Sequence, residues 1–278
     1  MKKALLNFIL PTAIFILSPS NIWAQQQKEQ PLQELFQTEV VYPQQKGEIQ
    51  STLAPRFRED AEGENEDFTE IPFNLQYGIT DAWQVGLVWE AFVNRNLDDG
   101  ESDSGIGDLE VGTKYSFMSI AGSNFHAAGL FQVVFPTGDV DEQLSDGFIK
   151  FEPSLILAKD FPGLNYLQVF AQTGFNFVER VKEPDNPDDE EPEAHEFILN
   201  GGFFIPIQQL VVTTEINWNN NEWNNDGDKD ELYLTPGLVW SLSESWEIGA
   251  GMPVGLTDDS DDFRVIGMVT YSFDTMGK

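Results

Sequence analysis

Charged side chains of both signs recur at alternate positions of short apolar segments, a spacing that could line a polar passage. On the face opposite the apolar residues, acids outnumber bases. The predicted pore-lining residues are Glu70, Glu90, Asp108, Glu110, Lys114, Lys150, Glu152, Glu215, Glu231, Glu247 and Arg264. An acidic lumen favours cations and neutral solutes over anions. The same side chains could instead pair with one another and close the lumen, and the sequence leaves both interpretations open.

Acidic runs between the alternating segments could hold a divalent cation. Asp226, Asp228 and Asp230 alternate in a polar stretch, as hard oxygen ligands do in calcium loops. The glutamate that would complete such a loop is missing, and further acidic runs occur at 185–196 and 258–262. We therefore expect no cofactor beyond loosely bound Ca²⁺ or Mg²⁺, with these three aspartates as candidate metal ligands.

Groups for enzyme catalysis are scarce. The chain has two histidines, His126 and His195, and no cysteine. It contains neither a Gly-x-Ser-x-Gly nucleophile elbow nor a histidine pair with zinc spacing. A serine–histidine hydrolase is kept as a third hypothesis, because triad members can lie far apart in sequence. The prediction is that the chain is not an enzyme.

The elements that position these side chains are predicted to be antiparallel β-strands. In residues 70–77, for example, apolar residues occupy the odd positions and mostly polar ones the even positions. Segments of about ten residues with this period match tilted strands that cross a bilayer. The predicted strands are 47–57, 67–77, 83–92, 107–117, 125–136, 148–158, 166–177, 195–204, 209–218, 231–240, 246–254 and 263–273.

The connections between these strands alternate short and long along the chain. Bacterial outer-membrane barrels have short periplasmic turns on one rim and long external loops on the other. Aromatic residues flank the short connections, as Trp83 and Trp246 do, and such a belt is expected at headgroup depth. The predicted fold class is therefore all-β, a transmembrane antiparallel β-barrel of about 12 strands of the outer-membrane type.

Three prolines interrupt this pattern. Pro72, Pro153 and Pro236 lie inside predicted strands, where each removes a ladder hydrogen bond. A closed barrel has no edge on which a proline could be placed. We therefore expect bulges or shifted strand ends at these positions.

The start of the chain predicts export. Residues 1–24 show the order of a secretory signal peptide: lysines, an apolar stretch and a small-residue exit. Residues 25–46 are then predicted as a periplasmic N-terminal segment and residues 47–278 as the barrel, in the outer membrane of a Gram-negative envelope. A net charge of −32 excludes nucleic acid as a partner, because phosphate binding requires clustered Lys and Arg.

Three local motifs resemble a known family. They are the runs Gly105 to Tyr115 (GIGDLEVGTKY), Phe135 to Asp139 (FPTGD) and Tyr77 to Leu87 (YGITDAWQVGL). All three resemble the family described as Putative MetA-pathway of phenol degradation, a set of outer-membrane barrels often labelled transporters. The resemblance implies a barrel and the uptake of small aromatic or hydrophobic compounds. It transfers no functional residue to this chain.

Together these features predict a passive outer-membrane channel for small solutes, with an acidic lumen and mobile acidic external loops. The alternative is a non-conducting surface barrel whose acidic external loops bind divalent cations or a partner. The predicted partners are outer-membrane lipid, lipopolysaccharide, a small-molecule solute and the barrel-assembly machinery during biogenesis.

Overall fold

A computed structural model describes residues 32, 34–59, 67–96, 102–185, 193–220, 230–261 and 263–275. Its β-segments, in chain order, are β1 (Glu48–Leu53), β2 (Arg56–Glu59), β3 (Asp67–Gly78), β4 (Trp83–Asn96), β5 (Ser102–Gly105), β6 (Leu109–Phe117), β7 (Phe125–Phe135), β8 (Phe148–Phe161), β9 (Leu167–Arg180), β10 (Glu196–Ile207), β11 (Leu210–Asn220), β12 (Asp230–Ser241), β13 (Trp246–Gly251), β14 (Val254–Gly255) and β15 (Phe263–Asp274). The predicted signal peptide, residues 1–24, lies outside the described residues.

Three of the strands consist of two segments each, so the fold is a 12-stranded antiparallel barrel. The pairs are β1 with β2, β5 with β6, and β13 with β14. The register continues across the first interruption, since Leu53 pairs with Phe73 and Arg56 with Glu70. The predicted fold class and strand number are confirmed.

The barrel closes by pairing its first strand with its last. β1 pairs with β3 on one side and with β15 on the other, so that Gln50 lies opposite both Gln76 and Ser272. Closure leaves no free sheet edge. One rim carries the connections 79–82, 118–124, 162–166, 208–209 and 242–245, and we call it the short-turn rim; the opposite rim is the long-loop rim. Among the described residues, no helix is long and apolar enough to cross a membrane.

Side chains alternate between the two faces of the barrel wall, as predicted. On β9, Gln168 and Gln172 are buried in the interior, whereas Val169 and Phe177 are exposed on the outer face. The outer face is broadly apolar, and near the short-turn rim it carries aromatic residues. There the rings of Trp246 and Tyr271 lie 4.6 Å apart between centroids. An apolar outer wall with an aromatic girdle suits contact with lipid.

The three prolines behave differently from one another. A register shift between β3 and β4 lies at Pro72, as expected. Pro153 and Pro236 stay in register opposite Phe131 and Thr214, so neither forms a bulge on that side, although β13 ends beside Pro236 at the pair Gly237–Gly251. In both cases the pairing to the other neighbouring strand is interrupted at the proline. The missing N–H therefore falls where a ladder bond is already absent.

The predicted separation of residues 25–46 from the barrel is wrong for residues 34–44. These residues, which we call the luminal segment, lie inside the barrel, where Leu35, Phe36, Val40, Val41 and Gln44 are buried. Residues 25–31 lie outside the described residues. The prediction failed because the segment has no alternation of its own and takes its partners from the barrel wall.

Candidate functional site

The chain turns sharply into the lumen at the short-turn rim. Gly47 has a φ of 80°, a conformation that glycine adopts without steric cost. Its N–H donates to the carbonyl of Gly78 at 2.8 Å. A side chain at Gly78 would collide with the carbonyl of Gln45. The two glycines therefore let the chain pass from β1 back into the interior of the barrel.

Neutral amides hold the C-terminal end of the luminal segment. The backbone N–H of Gln44 donates to Oε1 of Gln84 at 2.8 Å, and its side-chain Nε2 donates to Oε1 of Gln76 at 3.0 Å. The same Nε2 donates to Gln50. Three adjacent strands thus supply glutamines to one residue of the segment.

A buried lysine and a serine on β6 hold the middle of the segment. Lys114 is 1% exposed, and its Nζ donates to the carbonyl of Val40 at 2.9 Å and to Oε2 of Glu39 at 3.1 Å. Ser116 Oγ donates to the carbonyl of Val41 at 2.8 Å. Backbone groups that lack a strand partner are therefore satisfied by side chains of the inner wall.

Tyr42 joins a polar cluster near the short-turn rim. Nδ1 of His126 accepts a hydrogen bond from the N–H of Ser119 at 3.0 Å, which leaves Nε2 to donate to Asp160 at 2.9 Å. Gln168 Nε2 donates to the Tyr42 hydroxyl at 2.7 Å. His126 thus connects a turn with two strands, and its ring lies 6.3 Å from the ring of Tyr42 between centroids. This arrangement accounts for its burial without a catalytic role.

A carboxylate receives the N-terminal part of the luminal segment. Glu215, on β11, is fully buried, and its two oxygens accept the backbone N–H groups of Phe36 at 3.0 Å and Gln37 at 3.1 Å. Gln37 Nε2 donates to Thr235 at 2.9 Å. Charge-assisted hydrogen bonds of this kind are stronger than those between neutral groups.

The remaining contacts bring the segment back towards the first strands. Asn217 donates to Thr38 Oγ1 at 3.1 Å, and Asn74 donates to Oε1 of Glu34 at 2.6 Å. From Gln44 to Glu34 the segment therefore contacts walls on several sides of the barrel. It crosses the lumen instead of following one strand.

Apolar side chains of the segment complete a hydrophobic core inside the barrel. Leu35, Phe36, Val40, Val41 and Tyr42 cluster with inward-facing residues of the wall. The wall residues are Ala128, Ile156, Ala158, Phe170, Phe204, Val211, Val239, Ile266 and Met268. Part of the lumen is thus lined and filled by apolar groups, which the sequence prediction of a charged lining did not include.

Four of the predicted pore-lining residues meet in a cavity nearer the long-loop rim. Glu70, Glu90, Asp108 and Lys150 line a space of about 220 Å³ together with bases of the wall. Lys114 and Glu215 instead bind the luminal segment. Glu110, Glu152, Glu231 and Arg264 lie along the inner wall, and Glu247 accepts a hydrogen bond from Ser241 Oγ at 2.9 Å beside the short-turn rim.

Most of the bases on the inner wall are paired with acids. Arg58 Nη2 lies 2.9 Å from Glu70, and Lys150 Nζ lies 2.7 Å from Asp146 and 3.9 Å from Glu196. Arg264 contacts Asp261, and its Nη2 lies 3.8 Å from Glu231. These ion pairs fit the interpretation in which inward side chains pair with one another, and the acidic lumen stays a prediction.

The loop between β7 and β8 folds over this cavity and brings two of the family-like motifs together. Asp108 accepts hydrogen bonds from the N–H of Gly138 and from Ser145 Oγ, both at 3.1 Å. Thr137 Oγ1 donates to the carbonyl of Gly107 at 2.9 Å. The GIGD and FPTGD runs therefore form one structural unit. A second space, of about 730 Å³, adjoins the same loop.

The candidate metal ligands are only partly described. Asp226 and Asp228 lie outside the described residues. Asp230 accepts a hydrogen bond from Asn220 Nδ2 at 2.9 Å, and its N–H donates to Asp259 at 3.2 Å. No group of three or more His, Asp or Glu in the described ranges is arranged to hold a metal ion. The metal site stays a prediction.

Sequence reasoning missed the amides of the inner wall and the luminal segment itself. One signal was present. Leu32, Leu35, Phe36, Val40, Val41 and Tyr42 are apolar, which is unusual for an extension in water. A segment with this many buried-type residues needs a surface to bury them against.

Comparison with known proteins gives a consistent family and fold. The family described as Putative MetA-pathway of phenol degradation matches residues 73–273. The chain is similar in structure to a KdgM porin in complex with disordered oligogalacturonate, with a TM-score of 0.51, 11% identity and coverage of 80% of this chain and 99% of that one. It is also similar to the NanC porin, with a TM-score of 0.52, 9% identity and coverage of 80% and 98%. At these identities the likeness shows a shared porin-type barrel. No curated protein sequence matches the chain.

Proposed function

We propose that this chain, which belongs to the family described as Putative MetA-pathway of phenol degradation, is a passive outer-membrane channel for small solutes that its luminal segment closes. One observation carries the proposal. Among the described residues, segment 34–44 is held by side chains of the wall and not by a strand ladder. It can therefore leave the lumen while every strand pairing of the barrel stays intact.

Small neutral or aromatic molecules are the proposed solutes. The family description names phenol degradation, and the apolar part of the inner wall would accept an aromatic ring. The excess of acids on the inner wall disfavours anions. Export through the signal peptide 1–24 and insertion in the outer membrane belong to the same proposal.

Conductance of the folded protein in a planar bilayer tests this function. Lys114→Met removes two hydrogen bonds from a charged group to the luminal segment, and such bonds contribute about 1.5–3 kcal/mol each. We expect rare openings of the wild-type protein and an open fraction at least about tenfold higher in Lys114→Met. A salt gradient should show a preference for cations.

Lys46→Met is the matched control, because Lys46 is exposed at the short-turn rim. It should conduct like the wild type. A correctly folded Lys114→Met barrel without any conductance would contradict the channel. It would favour the alternative of a non-conducting barrel that acts through its external loops.

A further inference from the structure

The ring of Phe36 occupies a space that three glycines leave open in the barrel wall. Gly237 lies on β12, and Gly249 and Gly251 lie on β13. A Cβ atom at Gly251 would come within 2.6 Å of the ring, one at Gly249 within 3.3 Å, and one at Gly237 would overlap it. We call these three residues the glycine cradle. Any larger residue at Gly237 or Gly251 would exclude a six-membered ring from this place.

Two buried polar groups lie beside the glycine cradle. Thr213 is fully buried, and its Oγ1 lies 2.7 Å from the position that a Cβ at Gly237 would take. Within the described part of the chain, this hydroxyl has no hydrogen-bond partner. Glu215, two residues further along the same inner face, accepts its hydrogen bonds from the backbone of the luminal segment. When the segment leaves, both groups can bind another molecule.

We propose that the glycine cradle is a binding site for an aromatic solute that carries a hydroxyl or amino group, and that Phe36 occupies this site as an internal stand-in. The ring of the solute replaces the ring of Phe36. Its hydroxyl or amino group reaches Thr213 or Glu215, which an unsubstituted ring would leave unpaired. Unpaired buried polar groups are costly, so the site selects for the polar substituent.

This inference rests on the proposed function, because it gives the solute a place inside the channel. Phe36 and the solute exclude each other from the glycine cradle. The wild-type protein therefore binds the solute with low apparent affinity, because only a small fraction of the molecules has a free cradle. A solute that binds the cradle also favours the state in which the luminal segment has left the lumen.

Binding of 4-fluorophenol to the full-length protein in detergent, followed by fluorine NMR, tests the site. Phe36→Ala should bind the probe at least about tenfold more tightly than the wild type. Cyclohexanol, which has the hydroxyl but no aromatic ring, is measured by its displacement of 4-fluorophenol, and its affinity should increase little in Phe36→Ala. Replacing Gly251 by Val in the Phe36→Ala background places a side chain in the cradle and should abolish the increase in affinity for 4-fluorophenol. Thr213→Val in that background should weaken the binding of 4-fluorophenol more than the binding of fluorobenzene.

Lys46→Met is the control, because Lys46 is exposed at the short-turn rim and, among the described residues, makes no side-chain contact that holds Phe36 in place. An equal gain in affinity in Lys46→Met would overturn the proposed cradle site, as would unchanged binding after the Gly251 substitution. Phe36→Val replaces Phe36→Ala if the latter does not fold. Binding is measured without a bilayer and so does not depend on conductance. A barrel that binds 4-fluorophenol but never conducts would contradict only the proposed channel function. A barrel that conducts but does not bind refutes only the cradle.

Discussion

At the scale of single residues, two carboxyl groups inside the barrel have different surroundings. Glu215 accepts two backbone N–H groups of the luminal segment, one on each oxygen. Glu34 accepts a hydrogen bond on Oε1 from Asn74, and Thr52 also lies within hydrogen-bonding reach of its carboxyl. Burial raises the pKa of Glu34 to about 7; hydrogen bonds from Thr52 and Asn74 and the charge of Lys114 oppose this increase, whereas the nearby Glu39 adds to it. The docked segment therefore favours a protonated Glu34.

This pKa predicts that the luminal segment is released as the pH rises. In water the Glu34 carboxyl would have its ordinary pKa of 4.5. Between that value and about 7 the docked state binds more protons than the free segment, so docking weakens with increasing pH and levels off above about 7. The open fraction in planar bilayers should rise at least about tenfold from pH 5 to pH 8.

Glu34→Gln removes the titrating group and keeps an amide of similar size. It should flatten the pH dependence of conductance over this range. Unchanged pH dependence in Glu34→Gln, or greater opening of the wild type at pH 5, would contradict the assignment to Glu34.

At the scale of elements, the junction of β5 and β6 is crowded against its neighbouring strand. A Cβ atom at Gly107 would lie 2.7 Å from Cβ of Glu90 and 2.9 Å from Cγ2 of Val93. At Gly129, on β7, a Cβ would have nothing within 4 Å. The two glycines thus provide a matched pair for one substitution.

Gly107→Ala should destabilise the barrel by about 1–3 kcal/mol, because the added methyl group forces the neighbouring side chains aside. Gly129→Ala should be close to neutral, since its methyl group enters open space. The midpoint of urea-induced unfolding in detergent measures both. Equal midpoints for the two variants would show that the junction relaxes without cost.

The strands could be predicted from sequence because each carries its own signal. Alternation along 167–180 separates inward glutamines from outward apolar residues without reference to any other strand. The charged residues on the inner face followed from the same rule. The luminal segment could not be predicted in this way, since its partners, such as Glu215 and Thr235, are distant in sequence. The glycine cradle also depends on packing that no local pattern contains.

At the scale of the whole molecule, the luminal segment supplies part of the barrel's interior. Without it, inward residues such as Phe204 and Val239, which are fully buried, would lie against water. Burial of one large apolar side chain contributes about 1.5–3 kcal/mol. The segment should therefore stabilise the barrel as well as close it.

Deleting residues 25–44 should lower the midpoint of heat-induced unfolding in detergent and leave the barrel continuously conducting. Deleting residues 25–31 alone is the control, because every described contact of the luminal segment is retained. An unchanged midpoint after the longer deletion would mean that water replaces the segment without loss of stability.

The contacts of the luminal segment also set an order of assembly. Neighbouring strands form hairpins, whereas Gln37 and Thr235 are 198 positions apart. Contacts over such separations form late, because the entropy of closing so long a chain segment has to be overcome first. The segment can reach its partners on β11 and β12 only after those strands have been made and placed. Each newly closed barrel is therefore expected to pass through a stage with an empty lumen.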